Sequence, residues 1–225
     1  LVLVNPHNPT GRIFDKEELE KISALANKYN VVVFSDEIFA ETSQGKRVIP
    51  YAEIDPVMGI SCTSLGKTFN LTGVNQANMV IPNEELREKY QTQKDIDHFG
   101  SIDPFFYNLL KAAYTEKGWD WVQQMNAHTK EMYVLLTDAL AEMPLITVSP
   151  LEGTFVAWLD CRKLNLNDKE IEHFFMDDAL LWADWGEEYG PGGNGFVRMN
   201  IATTREKMET ALANLKKAYS KRFNR

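Results

Sequence analysis

Two apolar runs flank a segment of helical periodicity within the first 35 residues, and that order leaves few folds open. Leu1-Val2-Leu3-Val4 reads as a short buried strand. Asp15 stands as an N-cap with Glu18 three residues on, a capping-box pattern, and Leu19, Ile22, Leu25 and Ala26 then recur on one face. Val31-Val32-Val33-Phe34 is a continuous β-branched and aromatic run, as in a strand buried on both faces. Strand, helix, strand at this spacing is a βαβ unit, which predicts parallel strands and a right-handed crossover. The chain opens inside an apolar run, without methionine or a charged lead-in, so no signal-peptide pattern is present. The expectation is a C-terminal fragment of a longer chain.

Further strands are predicted at Gly59–Thr63 and from Gln76 to Ile81, and Asn83 should cap a charged helix running to about Asp95. From about Ser101 the texture turns helical, first through about Glu116, then in a long amphipathic stretch from Trp119 to Glu142 that Pro144 ends. A strand from Gly153 to Leu159, a helix from about Asn167 to Leu180, a strand from Phe196 to Ile201 and a final helix capped by Thr203 with Glu206 complete the pattern. The expected architecture is α/β: part of a large domain with a mostly parallel sheet over 1–110, and a smaller α+β C-terminal domain with an interdomain helix over 111–225.

The net charge of −8 weighs against nucleic acid as a partner, because phosphate binding needs clustered lysine and arginine. The two cysteines, Cys62 and Cys161, are far apart and lie in apolar runs. They read as buried free thiols, which fits a reducing cytoplasm better than a disulfide scaffold. No run of roughly 18 apolar residues is present, so no membrane-spanning helix is expected.

Functional groups in open α/β sheets collect beyond the carboxyl ends of parallel strands. Asn8 follows the first predicted strand, Asp36 the second and Lys67 the third, so all three are expected along one sheet edge. Each also has a plainer reading. Asp36 is either a strand-end acid or a carboxylate that keeps a pyridine nitrogen protonated. Asn8 is either a turn residue or an amide donor to a phenolic oxygen. Ser64 is either a loop serine or a phosphate ligand, and Lys67 either a solvated lysine or an amine for a Schiff base. Alternation places Phe196, Arg198 and Asn200 on one strand face and Val197, Met199 and Ile201 on the other. Arg198 therefore needs an anionic partner, either a neighbouring acid or a substrate carboxylate.

Together, Asn5-Pro6-His7-Asn8-Pro9-Thr10-Gly11, Ser35-Asp36-Glu37-Ile38, Ser64-Leu65-Gly66-Lys67 through Gly73, and Phe196 to Arg205 resemble the fold-type I enzymes dependent on pyridoxal 5'-phosphate (PLP). More closely, they resemble the class I/II aminotransferase family. The resemblance spans essentially the whole chain and implies that an upstream part, carrying a phosphate-binding turn and a stacking aromatic ring, is missing. It implies Lys67 as the Schiff-base lysine, Asp36 on the ring nitrogen, Asn8 on the phenolic oxygen, Ser64 on the phosphate and Arg198 on the substrate α-carboxylate.

Two departures narrow the subgroup. Phe39 replaces the tyrosine usual three residues after the aspartate, and Val74-Asn75-Gln76 lacks the arginine usual after this glycine. Lys67 through Asn75, Glu152-Gly153-Thr154-Phe155 and Trp158-Leu159-Asp160-Cys161-Arg162 are similar to the cystathionine β-lyase (C–S lyase) branch. That branch implies β-elimination from cystathionine or a related S-substituted cysteine. Lys67 anchors the cofactor, is displaced by the substrate amine and removes the α-proton, giving thiol, pyruvate and ammonia. An amino-acid aminotransferase would use the same residues, and a truncated, non-catalytic PLP-fold protein would use none of them. The resemblance also implies a homodimer, and weak PLP binding by a chain lacking the upstream part.

Overall fold

A computed structural model describes residues 1–99 and 104–223. The expected ends at Ser101 and beyond Phe223 lie outside these residues. The chain divides into two compact units, Leu1–His7 with Arg12–Met125, and Asn8–Gly11 with Asn126–Arg225. The division falls later than 110/111 and transfers the Asn8–Gly11 turn to the second unit.

The first unit is built on β1 (Val2–Val4), α1 (Lys16–Tyr29), β2 (Val33–Asp36), α2 (Tyr51–Ile54), β3 (Gly59–Thr63), α3 (Leu65–Thr68) and β4 (Asn78–Val80). Helices α4 (Glu84–Ile96), α5 (Pro104–Ala113) and the first half of α6 (Glu116–Ala141) follow. The sheet order is β1-β2-β3-β4, with β1, β2 and β3 parallel and β4 antiparallel to β3. Leu3 pairs with Ser35, Ser35 with Ser61 and Asp36 with Cys62.

The capping box at α1 forms as its sequence predicts, with the Asp15 N–H donating to the Glu18 carboxylate at 2.9 Å. Leu19 and Ala26 from α1 pack with Leu3, Val33 and Tyr51 in the core of this unit. Val31 and Val32 do not extend β2, and both are 37% exposed. Asn30 takes a left-handed conformation (φ 52°) at the end of α1, and the Val31 N–H closes the helix on the Ala26 carbonyl. The strand therefore begins at Val33.

The second unit contains β5 (Thr147–Val148), β6 (Val156–Asp160), α7 (Asp168–His173), β7 (Asp184–Trp185), β8 (Phe196–Asn200) and α8 (Arg205–Phe223). Its sheet has the order β5-β6-β8-β7 and every pairing is antiparallel. Val197, Met199 and Ile201 face a core that includes Leu136, Ile146, Leu159, Phe174, Met208 and Tyr219. Phe196, Arg198 and Asn200 face the other way, as alternation predicts.

Three boundaries differ from expectation. The segment before Val156 is bent rather than extended. The Gly11 carbonyl accepts from Glu152 and Gly153 N–H at 3.0 and 2.9 Å, and Thr154 has φ 71°. Helix α7 gives way after His173 to a π-helical turn, Phe174–Asp178. Thr204 rather than Thr203 starts α8, its carbonyl accepting from Met208 N–H and its hydroxyl from Lys207 N–H. Cys62 and Cys161 are buried and unbridged, as expected. Among the described residues no helix is long and apolar enough to cross a membrane.

Candidate active site

In the first unit the parallel strands deliver Asp36 and the Lys67 segment to the same sheet edge. Asp36 is the last residue of β2, and β3, its neighbour, leads through Ser64 into the single turn of α3 that carries Lys67. One Asp36 oxygen accepts from the Ile38 N–H at 3.2 Å. Lys67 has no hydrogen bond or ion pair among the described residues, and its Nζ lies 5.9 Å from the centroid of the Phe39 ring. Phe39 is itself buried, so the lysine meets an aromatic face where a tyrosine would present a hydroxyl.

Ser64 is committed locally. Its hydroxyl accepts from Gly66 N–H at 3.1 Å, capping α3, and donates to the Gln76 carbonyl at 2.8 Å. Its single proton is thereby used, and contact with a phosphate requires exchanging Gln76 for the new acceptor. Gln76 also donates to the Asn78 side chain at 2.7 Å, and Asn78 donates to Thr63 at 3.2 Å. This polar chain ties β4 to the end of β3. On the other side of α3, the Thr68 hydroxyl donates to Glu41 at 2.8 Å.

Asn8 groups with the second unit, and there it touches Arg198, whose Nη1 donates to its Oδ1 at 2.9 Å. That bond leaves the Asn8 amide nitrogen as the group able to donate to a ligand. Arg198 also donates through Nε and Nη2 to one oxygen of Asp184, at 2.9 and 2.7 Å. Its guanidinium carbon lies 5.3 Å from the Tyr189 ring centroid. Tyr189 packs edge-on against Trp158, which stacks on Phe196 at 5.1 Å. An aromatic row thus covers the polar face of β8. Burial pushes the Tyr189 hydroxyl pKa up.

The neighbouring acid foreseen as one partner for Arg198 is therefore present, and it is Asp184, a residue that sequence reasoning did not single out. Strand β7 has only two residues, too few to show a period, and its register opposite Arg198 exists only in the folded sheet. Glu37 was also missed as a buried acid. It is 1% exposed, and its Oε1 accepts from Tyr51 N–H at 2.7 Å and from the Ser61 hydroxyl at 2.8 Å. Burial raises its carboxyl pKa above the ordinary value.

The chain is similar in sequence and fold to proteins already known. The chain is 28% identical to cystathionine beta-lyase PatB of Bacillus subtilis over 97% of its own length and 58% of that protein. It is 26% identical to an aspartate aminotransferase of Pyrococcus horikoshii, over 97% of its length and 56% of that protein. The crystal structure of cystalysin from Treponema denticola, which contains a PLP cofactor, superposes with a TM-score of 0.93 at 29% identity. That match covers 98% of this chain and 57% of cystalysin. The chain thus spans somewhat over half the length of the relatives it matches. The pattern of the family "Aminotransferase class I and II" matches residues 1–215, and the chain belongs to that family.

Proposed function

We propose that the chain is the lysine-bearing part of a PLP-dependent carbon–sulfur β-lyase that cleaves cystathionine or a related S-substituted cysteine to thiol, pyruvate and ammonia. The observation that carries this reading is Lys67, an amine with no acid partner among the described residues, set just beyond β3 beside the strand that ends in Asp36. An amine that makes no competing contact is free to form a covalent bond with an aldehyde. The donor set fits the cofactor: a carboxylate, an amine and an amide donor are the groups its ring nitrogen, aldehyde and phenolic oxygen require. Likeness to cystathionine beta-lyase PatB supports the lyase branch, as do Phe39 and Asn75, and likeness to PLP-containing cystalysin supports the cofactor.

Bound PLP supplies an aldehyde carbon to an amine and a ring that withdraws electrons from the α-carbon of an amino acid. Lys67 would hold the cofactor through Nζ, and its free amine would be the base for the substrate α-proton, with a thiolate as the leaving group at the β-carbon. The Asp36 carboxylate would be the group that pairs with the cofactor's ring nitrogen. Asn8 would donate from its amide nitrogen, and Ser64 would hold a phosphate oxygen in exchange for the Gln76 carbonyl. Arg198 receives the substrate carboxylate. A homodimer in a reducing cytoplasm belongs to the same reading, supported by the family resemblance and by two buried free thiols.

An aminotransferase is the second reading, favoured by the likeness to the aspartate aminotransferase. Incubation of the PLP-loaded protein with cystathionine separates the two. Pyruvate release without an added keto acid is expected, whereas amino transfer that depends on a keto acid would establish the second reading. A visible absorption band on PLP addition that disappears in Lys67→Ala tests the anchor itself. No band in a parent protein that includes the upstream part would remove the enzyme assignment.

A further inference from the structure

We infer that Asp184 is a positioning residue for Arg198, fixing the guanidinium so that it presents a two-pronged site to a substrate carboxylate. The inference rests on the proposed role of Arg198 and goes one residue beyond it.

A guanidinium has five N–H donors in a rigid plane. Asp184 takes the Nε proton and one Nη2 proton, and Asn8 takes one Nη1 proton. Two donors remain, one on each terminal nitrogen. A carboxylate bound by an arginine fork uses that number, one for each oxygen.

The clamp is built by the sheet. Asp184 and Arg198 are register partners across the β7–β8 ladder, and Arg198 pairs with Trp158 on its other side. Their side chains are 38% and 21% exposed, so the pair is partly shielded from water. With the Tyr189 ring against one face of the guanidinium, rotation about the side chain is opposed from the plane and from its Nε edge.

Asp184 spends its negative charge on the edge that the ligand does not need. It thereby lowers the net positive charge of the site while raising its directionality. The site should favour a ligand that offers two coplanar oxygens over one that offers only a carbonyl and an amide nitrogen.

The test uses the full chain loaded with PLP and compares the dissociation constants of L-alanine and L-alaninamide for the parent, Asp184→Asn, Asp184→Ala, Arg198→Ala and the double Asp184→Ala/Arg198→Ala variant. The parent should prefer the acid. Asp184→Ala should lose roughly tenfold of that preference, and Asp184→Asn, which keeps an acceptor oxygen, should recover part of it. In the Arg198→Ala background the Asp184→Ala change should add nothing further.

A second readout needs no ligand. The Arg198 Nε–H NMR signal should be protected from solvent exchange in the parent and lose that protection in Asp184→Ala. Loss of preference in Arg198→Ala with full preference retained in Asp184→Ala would overturn the positioning role alone. Full preference retained in Arg198→Ala would overturn the carboxylate role of Arg198, and the inference with it.

Discussion

Asp184 and Arg198 face each other across the two-residue ladder of β7 with β8, and a single aspartate oxygen takes two guanidinium N–H groups at 2.9 and 2.7 Å. Lysine cannot reproduce this arrangement, because its ammonium is a point charge without a planar fork. Arg198→Lys should therefore weaken amino-acid binding by roughly tenfold or more despite keeping the charge. Titration of the PLP-loaded protein with L-alanine checks this, and an unchanged dissociation constant would contradict it.

Glu37 should make stability depend on pH. Burial raises its native pKa above the ordinary 4.5, so the native state holds this proton to higher pH than the unfolded chain does. Its contribution is complete below the unfolded value and is lost as pH rises through the native one. Glu37→Gln keeps the oxygen that accepts from Tyr51 and Ser61 and removes the ionisation. Melting curves between about pH 4.5 and pH 8 should show the variant gaining on the parent as pH rises. A constant difference across that range is the contrary result.

Asp55 is a structural acid of the first unit. It is 2% exposed, and its oxygens accept from Ser23 at 2.9 Å, Asn27 at 2.8 Å, Val57 N–H at 3.1 Å and Met58 N–H at 2.9 Å. Asp55→Ala strands four donors at once and should cost about 3 kcal/mol. Urea unfolding measures this; a loss below about 1 kcal/mol would show that water satisfies the donors instead.

Gly186 and Gly193 meet back to back in the turns between β7 and β8. A Cβ on Gly186 would lie 2.0 Å from the Gly193 carbonyl oxygen and 2.6 Å from that of Phe196. Both contacts are with backbone and cannot yield cheaply. Gly186→Ala should cost about 2–3 kcal/mol. Gly192→Ala is the control, with nothing within 4 Å of the added carbon, and should be close to neutral. Equal melting temperatures for the two variants would contradict this.

Much of the frame was legible in local pattern. The βαβ opening, the Gly59–Thr63 strand, the Asn83 cap and the two faces of β8 all appear where periodicity and capping chemistry put them. Such signals depend on neighbours a few residues apart, so the sequence displays them directly. The misplacements came where a residue's type pointed to one structure and its backbone hydrogen bonds went to another. Val31 and Val32 have strand chemistry, yet closing α1 takes the Val31 N–H. The predicted strand begins at Gly153, yet Glu152 and Gly153 both donate to the Gly11 carbonyl and the segment bends.

The site divides in the same way. The order Asn8, Asp36, Ser64, Lys67, Arg198 and the residue types at each position led, with the family resemblance, to the family that the chain belongs to and to the site proposed above. Motif spacing also put Asp36 and Lys67 beyond neighbouring parallel strands, because a parallel sheet sends every strand end to one edge. The partners of those groups were not readable. Asn8 and Arg198 are 190 residues apart and Arg198 and Asp184 are 14 apart, with no period connecting either pair. The Ser64 proton goes to a carbonyl 12 residues away. Periodicity fixes which way a side chain points; what it meets depends on strand register and chain reversal, which only the folded sheets decide.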